Sequence, residues 1–391
     1  MAPLDTHAIC LLVFLFLVIS HHVTSCYTAI FSFGDSLADT GNSVAIDGHS
    51  ANDAATKLPY GETYFGRPTG RFSDGRLIID FIAQAMGLPF VRPYLAGGSE
   101  EEFRHGVNFA VAGATAMNNS FFREQGIDVT WTPYSLDVQI EWFKQLLHSN
   151  PSISDPSVLS NALFLVGEIG GNDYNHPFFQ HEPFDKIRKL VPSVIEAISS
   201  AITALVKLGA KNLVVPGNFP IGCVPLYLRQ FQSKNVEDYD QKTGCIKWLN
   251  EFSVYHNRLL QDELDHLNGV YHNATITYAD YYNAAMRIFD SPKQFAQPIA
   301  GFTTPLTGCC RGCGESLCED PSRYVSWDGL HLTEAAYKTI ADGLLQGPAR
   351  VPSLNQTCSV RQQSSASPNS LKFFTSIDSS RWFDVWNVRE S

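Results

Sequence analysis

The chain of 391 residues is long enough for one large domain or two small ones. Its 44% hydrophobic and 17% charged residues describe a folded protein with a sizeable core and exclude a disordered one. The formal net charge of −11 argues against nucleic acid and anionic membrane surfaces as partners.

The N-terminal segment contains a short apolar run, Ile9–Ile19. The run is too short to span a bilayer comfortably and is typical of the apolar region of a secretory signal peptide. Small residues at Val23–Ser25 suit cleavage before Cys26. We therefore expect residues 1–25 to be a signal peptide and the protein to have no stable membrane anchor, although no Lys or Arg precedes the run.

Cleavage at that point leaves eight of the nine cysteines, and an even number in a secreted chain indicates disulfide bonds. Four of the eight lie close together, at Cys309, Cys310, Cys313 and Cys318. This cluster allows a zinc site in principle, but an adjacent pair of cysteines fits four-ligand geometry poorly. We expect disulfides of unassigned connectivity, and neither a metal ion nor another cofactor.

Three Asn-x-Ser/Thr triplets begin at Asn118, Asn273 and Asn355. Such triplets also arise by chance, but a signal peptide would bring them to the glycosylation machinery. We therefore expect N-linked glycan at sites among these three asparagines.

Five apolar, β-prone runs precede turn signals: Ala29–Phe33, Val107–Val111, Leu163–Val166, Leu213–Val215 and Thr275–Tyr278. Helical patterns lie between them. One follows Ser135, a candidate N-cap, another ends before Gly209, and a final one follows Thr333. Strands that alternate with helices predict an α/β fold with a parallel sheet covered on both faces.

Two long connections, Ile46–Thr69 and Phe121–Pro133, are predicted to be surface excursions that shape a pocket. No linker divides residues 26–358, which we expect to form one domain. After Cys358 the chain becomes polar and then aromatic, so residues 359–391 are predicted to be a flexible C-terminal tail.

Three polar motifs each follow a predicted strand: Gly34–Ser36, Ala112–Ala114 and Gly170–Asp173. In an open parallel sheet, ligands bind at the carboxyl ends of the strands. The three motifs are therefore predicted to line one crevice.

Ser36 and the late pair Asp328 and His331 are the residue types of a serine hydrolase. A serine hydroxyl needs an adjacent base, which a histidine supplies, and a carboxylate orients and stabilises the imidazole. The spacing Asp-x-x-His allows both side chains to face the same way in a turn. This pattern predicts a catalytic triad. Activity should fall on the acid side as His331 becomes protonated, near the unperturbed histidine pKa of about 6.5.

An oxyanion formed at Ser36 would need hydrogen-bond donors. The candidates are the backbone N–H groups of Ser36 and Gly113 and the side-chain amide of Asn172. Asp35, Asp39 and Asn42 are expected to hold the serine turn through side-chain to backbone hydrogen bonds.

Each motif also has an ordinary interpretation, because Gly-Asp-Ser is a common turn and His331 alone could be a surface residue before a helix. Their order and their shared position after strands favour catalysis. His105, His256 and His272 have no comparable context, and we expect them to be structural.

Longer blocks surround these motifs: Gly34–Leu37, Arg71–Asp80, Gly106–Ala110, Gly167–Asp173 and Trp327–His331. With them the chain resembles the plant branch of the GDSL esterase/lipase family, in the SGNH hydrolase superfamily, from about Ala29 to Cys358. Within that branch it is most similar to secreted or vacuolar esterases of specialised metabolism.

The resemblance implies a three-layer α/β/α sandwich with a five-stranded, flavodoxin-like parallel sheet. It implies Ser36 as nucleophile, Asp328 and His331 as its partners, and Gly113 and Asn172 as oxyanion donors. One departure is the stretch from Cys309 to Trp327, which is shorter than in relatives, so the resemblance does not fix the substrate.

The leading hypothesis is a secreted or vacuolar serine esterase that cleaves a small-molecule ester, such as an acetylated or phenolic plant metabolite. Acyl transfer through the same acyl-enzyme is an alternative, since the intermediate does not dictate which acceptor takes the acyl group. A secreted binding or defence protein without chemistry is a third reading.

Overall fold

A computed structural model describes residues 27–46, 54–129, 131–290, 301–311 and 316–345. The expected signal peptide, the expected C-terminal tail and the triplet at Asn355 lie outside these residues.

The centre of the fold is a six-stranded sheet in the order β2-β3-β1-β4-β5-β6. Every pairing in it is parallel. The strands are β1 (Ile30–Phe33), β2 (Arg92–Pro93), β3 (Gly106–Asn108), β4 (Leu163–Val166), β5 (Asn212–Pro216) and β6 (Thr275–Ala279). Four shorter strands pair outside this sheet: β7 (Thr304–Gly308) with β10 (Tyr324–Ser326), and β8 (Cys310–Arg311) with β9 (Ser316–Leu317).

Twelve α-helices lie in the part of the chain that the structure describes. They are α1 (Asn42–Ile46), α2 (Ile78–Ala85), α3 (Glu100–Phe103), α4 (Asn119–Glu124), α5 (Leu136–Ser149), α6 (Pro156–Ser160), α7 (Gly171–Phe179), α8 (Phe184–Lys207), α9 (Pro225–Gln230), α10 (Lys247–Val270), α11 (Tyr281–Asp290) and α12 (Glu334–Leu345).

The sheet separates two hydrophobic cores, because successive side chains of a strand point to opposite faces. Phe31 of β1 packs into a core with α5, α8 and α10, represented by Phe143 and Val194. Ile30 packs into the opposite core with α2, α11 and α12, represented by Ile340. Burial on both faces explains why the strands read as continuous apolar runs. The predicted three-layer α/β/α fold is confirmed.

Two details of the predicted sheet differ from the structure. A sixth strand, β2, adds two residues at the edge beside β3, so the sheet has six strands where five were expected. The run predicted as Val107–Val111 forms a strand over Gly106–Asn108 only. Beyond it, the carbonyl groups of Asn108 and Ala110 accept hydrogen bonds from the Asn42 side chain, at 2.8 Å each, in place of a neighbouring strand.

Of the three residues predicted to start or end helices, two act as expected and the side chain of the third does not cap its helix. Gly209 follows the end of α8 with φ of +116°, a conformation that favours glycine after a helix. The Oγ1 atom of Thr333 accepts the Ala336 N–H at 3.3 Å and caps α12. Ser135 is the N-cap of α5, but its side chain accepts no helix N–H and instead donates to Asp137.

Two disulfides are present among the described residues. Cys223–Cys245 links the loop after β5 to the residues before α10, and Cys309–Cys318 closes a loop before β10. The second bond occupies two of the four sulfurs that were considered for zinc, which makes that alternative wrong for the cluster.

One described helix, α8, is long and apolar enough to cross a membrane by length and composition alone. Its apolar stripe, which includes Val194, Ile198 and Ile202, is buried in the core described above. A core helix of a globular protein passes the same test, so α8 is weak evidence for a membrane span.

Candidate active site

The turn after β1 places Ser36 at the carboxyl edge of the sheet. Gly34 has φ of +140°, and a Cβ atom there would lie 2.9 Å from the backbone oxygen of Glu168. The N–H of Asp35 donates to that same oxygen at 3.1 Å. A side chain at position 34 would therefore push apart the turns that follow β1 and β4.

Two carboxylates hold the serine turn, as expected. Asp35 accepts the Leu37 N–H at 2.9 Å. Asp39 accepts the N–H groups of Gly41 at 2.7 Å, Asn42 at 2.6 Å and Ser43 at 3.0 Å. It also accepts the N–H of Ala112 at 2.9 Å, which ties the turn to the segment after β3. These contacts fix the backbone on both sides of Ser36.

The structure brings Ser36, Asp328 and His331 together. Ser36 Oγ lies 2.9 Å from His331 Nε2, and His331 Nδ1 lies 2.6 Å from Asp328 Oδ2. All three residues are largely buried. Burial alone would raise the pKa of Asp328, but His331 and hydrogen bonds from its side chain and the loop backbone lower it below its ordinary value. The carboxylate is therefore ionised and can stabilise a positive imidazole ring.

The loop after β10 explains why the Asp-x-x-His spacing works. Asp328 Oδ1 accepts the N–H groups of Leu330 at 2.9 Å and His331 at 2.8 Å, an Asx-type turn. Gly329 lies inside this turn with φ of +100°. The Trp327 N–H donates to the His331 carbonyl at 2.8 Å, so the two ends of the loop are joined. Both catalytic candidates consequently point toward Ser36.

Two aromatic residues that sequence reasoning missed complete this side of the site. The Tyr60 hydroxyl donates to Asp328 Oδ2 at 2.9 Å. The Phe72 ring lies 4.8 Å from the His331 ring, centroid to centroid. Nothing in their local sequence indicates these contacts, which cross more than 250 residues of chain.

Gly113 lies beside Ser36 in the same cavity. Its φ is +82°, and a Cβ atom there would lie 2.8 Å from the Cβ of Trp131. Among the described residues, the N–H groups of Ser36 and Gly113 donate to no protein acceptor. Both groups are therefore available to a ligand oxygen.

Asn172, the second residue of α7, also reaches the site. Its Nδ2 donates to Ala114 O at 2.9 Å and faces Asp35 Oδ2 at 3.2 Å. Its Oδ1 accepts from Asn175, whose own Oδ1 accepts the Tyr227 hydroxyl at 2.7 Å. This chain fixes which end of the Asn172 amide faces Ser36. A ligand oxygen would have to take over one of the two bonds that Nδ2 makes.

A buried carboxyl pair, Asp35 and Glu168, lies under the serine. Desolvation by burial raises the pKa of Asp35 to about 6, and burial together with the Asp35 charge raises the pKa of Glu168 well above its ordinary value. The two side chains are hydrogen-bonded to each other. This hydrogen bond lowers the pKa of Asp35 and raises the pKa of Glu168, so Glu168 is the group that keeps the proton and donates to Asp35. A glutamate two residues after an apolar strand was the available signal for it.

A third buried acid, Asp173, joins α7 to the segment after β3. Its carboxylate oxygens accept the N–H groups of Ala116 at 2.8 Å and Met117 at 3.0 Å. Burial raises its pKa to about 7 despite these bonds. Its role is to hold the backbone beside Gly113 in place.

Two cavities meet at Ser36, Asn172 and His331. One has a volume of about 80 Å³ and extends over the ends of β4 and β5, past Glu168; we call it the narrow cavity. The other has a volume of about 610 Å³ and extends over the end of β3, past Gly113; we call it the wide cavity. An ester bound at Ser36 therefore has room on both sides of its carbonyl.

Both predicted surface excursions help to form the wide cavity. The segments that were predicted to shape a pocket contribute Ile46, Ala54, Trp131, Thr132 and Pro133 to its lining. The part of the first excursion at 47–53 lies outside the described residues.

The other predicted residues lie away from Ser36. Asn118 and Asn273 are exposed, so glycan could be attached at both. His256 is buried in the core, where its Nδ1 contacts the Tyr174 hydroxyl at 2.8 Å. His105 contacts the Thr28 carbonyl at 3.1 Å, and His272 is exposed. Within the described ranges, no group of three or more His, Cys, Asp or Glu residues could hold a metal ion.

Comparison with known proteins identifies the family. A sequence model described as GDSL-like lipase/acylhydrolase matches residues 30–344. The chain belongs to this family. It is a carboxylic ester hydrolase of the GDSL type, which confirms the predicted family and enzyme class.

Relatives resemble this hydrolase over nearly its whole length. A GDSL esterase/lipase of Arabidopsis thaliana is 46% identical, over 92% of this chain and 95% of its own. A second Arabidopsis GDSL esterase/lipase is 47% identical, over 92% and 94% of the two chains. The sinapine esterase of Brassica napus is 44% identical, over 88% of this chain and 92% of its own.

Proposed function

We propose that this hydrolase cleaves its ester through an acyl-enzyme on Ser36, with His331 as general base and Asp328 as the carboxylate that orients it. The observation that carries the proposal is the continuous contact from Ser36 Oγ to His331 Nε2 and from His331 Nδ1 to Asp328 Oδ2. A serine becomes nucleophilic at neutral pH when a base accepts its proton.

In the first step, Ser36 Oγ forms a bond to the ester carbonyl carbon while its proton passes to His331 Nε2. Asp328 stabilises the resulting imidazolium. The bond between that carbon and the alcohol oxygen then breaks, and His331 gives its proton to the departing alcohol. In the second step, His331 activates a water that releases the acid and regenerates Ser36.

The tetrahedral oxyanion is proposed to bind the N–H groups of Ser36 and Gly113 and the Nδ2 of Asn172. The free N–H groups and the fixed amide orientation support this assignment. Loss of one such donor typically lowers turnover by about 10²–10³.

A small or medium soluble ester, such as an acetylated or phenolic plant metabolite, is the proposed substrate class. The narrow cavity, of about 80 Å³, leaves little room on one side of the carbonyl, which favours a compact group over a long lipid chain on that side. The name of the Brassica napus relative, sinapine esterase, agrees with an ester of this kind. Acyl transfer would require an alcohol to displace water in the wide cavity.

Entry into the secretory pathway, with removal of residues 1–25, is proposed for this protein. Two disulfides and the exposed triplets at Asn118 and Asn273 support that route to the cell exterior or the vacuole. N-terminal sequencing of the mature protein should begin at Cys26, and a chain that retains residues 1–25 would contradict the proposal.

The substitution Ser36→Ala tests the proposed chemistry on a simple aryl ester. Turnover should fall by about 10⁶-fold, since removal of a triad nucleophile costs this much in a related mechanism. Ser32→Ala is a matched control, because Ser32 lies in β1 and its buried hydroxyl has no hydrogen-bond partner among the described residues. Retention of most activity by Ser36→Ala, with normal activity in Ser32→Ala, would refute the proposal.

A further inference from the structure

The narrow cavity contains a polar side chain that the chemistry at Ser36 does not use. Asn218 follows β5 and lines this cavity. It is 3% exposed, and its Oδ1 has no hydrogen-bond partner among the described residues. An unpaired buried amide is costly, and such groups in native proteins call for an explanation.

The fold does not require the side chain of Asn218. Its backbone is held on both sides by Asn257, which accepts the Asn218 N–H at 2.7 Å and donates to its carbonyl at 3.0 Å. Gly217 is closely packed, since a Cβ atom there would lie 2.3 Å from the Tyr278 hydroxyl. The backbone is therefore fixed without any contribution from the Asn218 amide.

Other polar side chains in the narrow cavity already have partners. Asn175 donates to Asn172 and accepts from Tyr227, and Glu168 is paired with Asp35. Asn218 is thus the lining amide whose hydrogen-bonding capacity is left for a ligand.

The position of Asn218 sets the size of the group it could reach. β5 lies two strands from β1, so the end of β5 is about 10 Å from the serine turn. The walls between them are apolar and include Phe219, Ile221, Val224 and Phe289. The narrow cavity has a volume of only about 80 Å³, so it suits a short acyl chain.

We propose that Asn218 is a specificity-determining residue that binds a hydroxyl group at the far end of the substrate's acyl chain. The acyl chain occupies the narrow cavity, and the alcohol occupies the wide cavity. The alcohol departs first and water must replace it, which suits the wide cavity of about 610 Å³, while the acyl group stays bound in the narrow cavity. The inference rests on the proposed acyl-enzyme and names the substrate class: esters of short, apolar ω-hydroxy acids.

The test compares methyl 6-hydroxyhexanoate with methyl hexanoate, which differ only in the terminal hydroxyl. Wild-type enzyme should prefer the hydroxylated ester in kcat/KM by about tenfold, the value of one good hydrogen bond. Asn218→Leu should abolish this preference while still cleaving methyl hexanoate, and its Tm should match or exceed that of the wild type because an unpaired amide is removed. Asn218→Ala provides the same readout if leucine fills the cavity.

Asn283→Leu is the matched control, since Asn283 is exposed on α11 and lines neither cavity. It should keep the wild-type preference. A second pair, 6-hydroxyhexyl acetate and hexyl acetate, places the hydroxyl on the alcohol and should not distinguish wild type from Asn218→Leu.

An equal preference in wild type and Asn218→Leu, or a response confined to the acetate pair, would overturn the inference. Either result would leave the proposed chemistry intact provided that Ser36→Ala is inactive on all four esters. Activity in Ser36→Ala would instead refute the acyl-enzyme itself.

Discussion

Around Ser36, one protonated carboxyl supports several other groups. Glu168 donates to Asp35, and Asp35 in turn contacts the Leu37 N–H and the Asn172 amide. Two adjacent carboxylates in a buried site cannot both be ionised at low cost, so the pair retains a proton. Glu168 is therefore a positioning residue, acting through Asp35 on the serine turn and on Asn172.

Substitution of Glu168 tests the hydrogen bond that it donates to Asp35. Glu168→Gln still donates to Asp35, so kcat should stay within about tenfold of wild type. Glu168→Leu removes the hydrogen bond that Asp35 accepts from Glu168, a loss of about 1–3 kcal/mol, and kcat should fall by roughly 10–100-fold.

Steady-state kinetics, with Tm measured alongside, check this ordering. A purely structural role would lower Tm in both variants and leave kcat per folded molecule unchanged. Equal kcat in the two variants would contradict the positioning role.

At the scale of elements, α7 and α10 meet at a buried pair, Tyr174 and His256. The rings lie 5.6 Å apart, and the hydroxyl contacts Nδ1 at 2.8 Å. Burial lowers the pKa of His256 from 6.5 to about 3, so the ring stays neutral in the folded protein. A neutral structural histidine agrees with the interpretation made from its sequence context.

This depressed pKa predicts a dependence of stability on pH. Below pH 6.5 the unfolded chain takes up a proton at His256, whereas the folded protein binds that proton only near pH 3. The stability due to this group is therefore fully present above pH 6.5 and is lost as the pH falls from 6.5 toward 3. Each pH unit in this window costs about 1.4 kcal/mol.

The variant His256→Gln lacks this titration. We would measure the free energy of unfolding of both proteins by urea denaturation between pH 6 and 4. As the pH falls, the wild type should lose about 1.4 kcal/mol per pH unit relative to the variant, so the variant approaches or overtakes it. A constant difference between the two proteins across this range would show that the ring is protonated in the folded state.

At the scale of the whole molecule, disulfides constrain the polypeptide around the site. Cys223–Cys245 closes a sequence separation of 22 residues, and Cys223 also lines the narrow cavity. The double substitution Cys223→Ala with Cys245→Ala should destabilise the protein by about 2–4 kcal/mol, since the unfolded chain regains the entropy of the open loop. Denaturant unfolding of the double variant measures this, and an unchanged free energy of unfolding would contradict it.

Much of the architecture was predictable because buried parallel strands leave continuous apolar runs and polar motifs follow their carboxyl ends. Leu163–Val166 has the predicted bounds for this reason. The edge strand Arg92–Pro93 has no apolar pattern, so no local signal indicated it. The end of β3 depends on hydrogen bonds from Asn42, a contact between distant residues.

The residues of the candidate site also fall into those that the sequence indicated and those that only the folded chain reveals. Ser36, Asp328 and His331 were identified because the chemistry demands a nucleophile, a base and a carboxylate, and these residue types stand in motifs that the sequence shows. Tyr60 and Asn218 were missed, because their importance comes from packing and an unpaired atom that only the folded chain reveals.

The most direct measurement is to quench the enzyme during turnover of a slowly hydrolysed aryl ester and locate the acyl group by peptide mass spectrometry. We predict a single added acyl mass on the peptide that contains Ser36, absent in Ser36→Ala. An acyl group on another residue, or turnover by an enzyme that never carries one, would contradict the account.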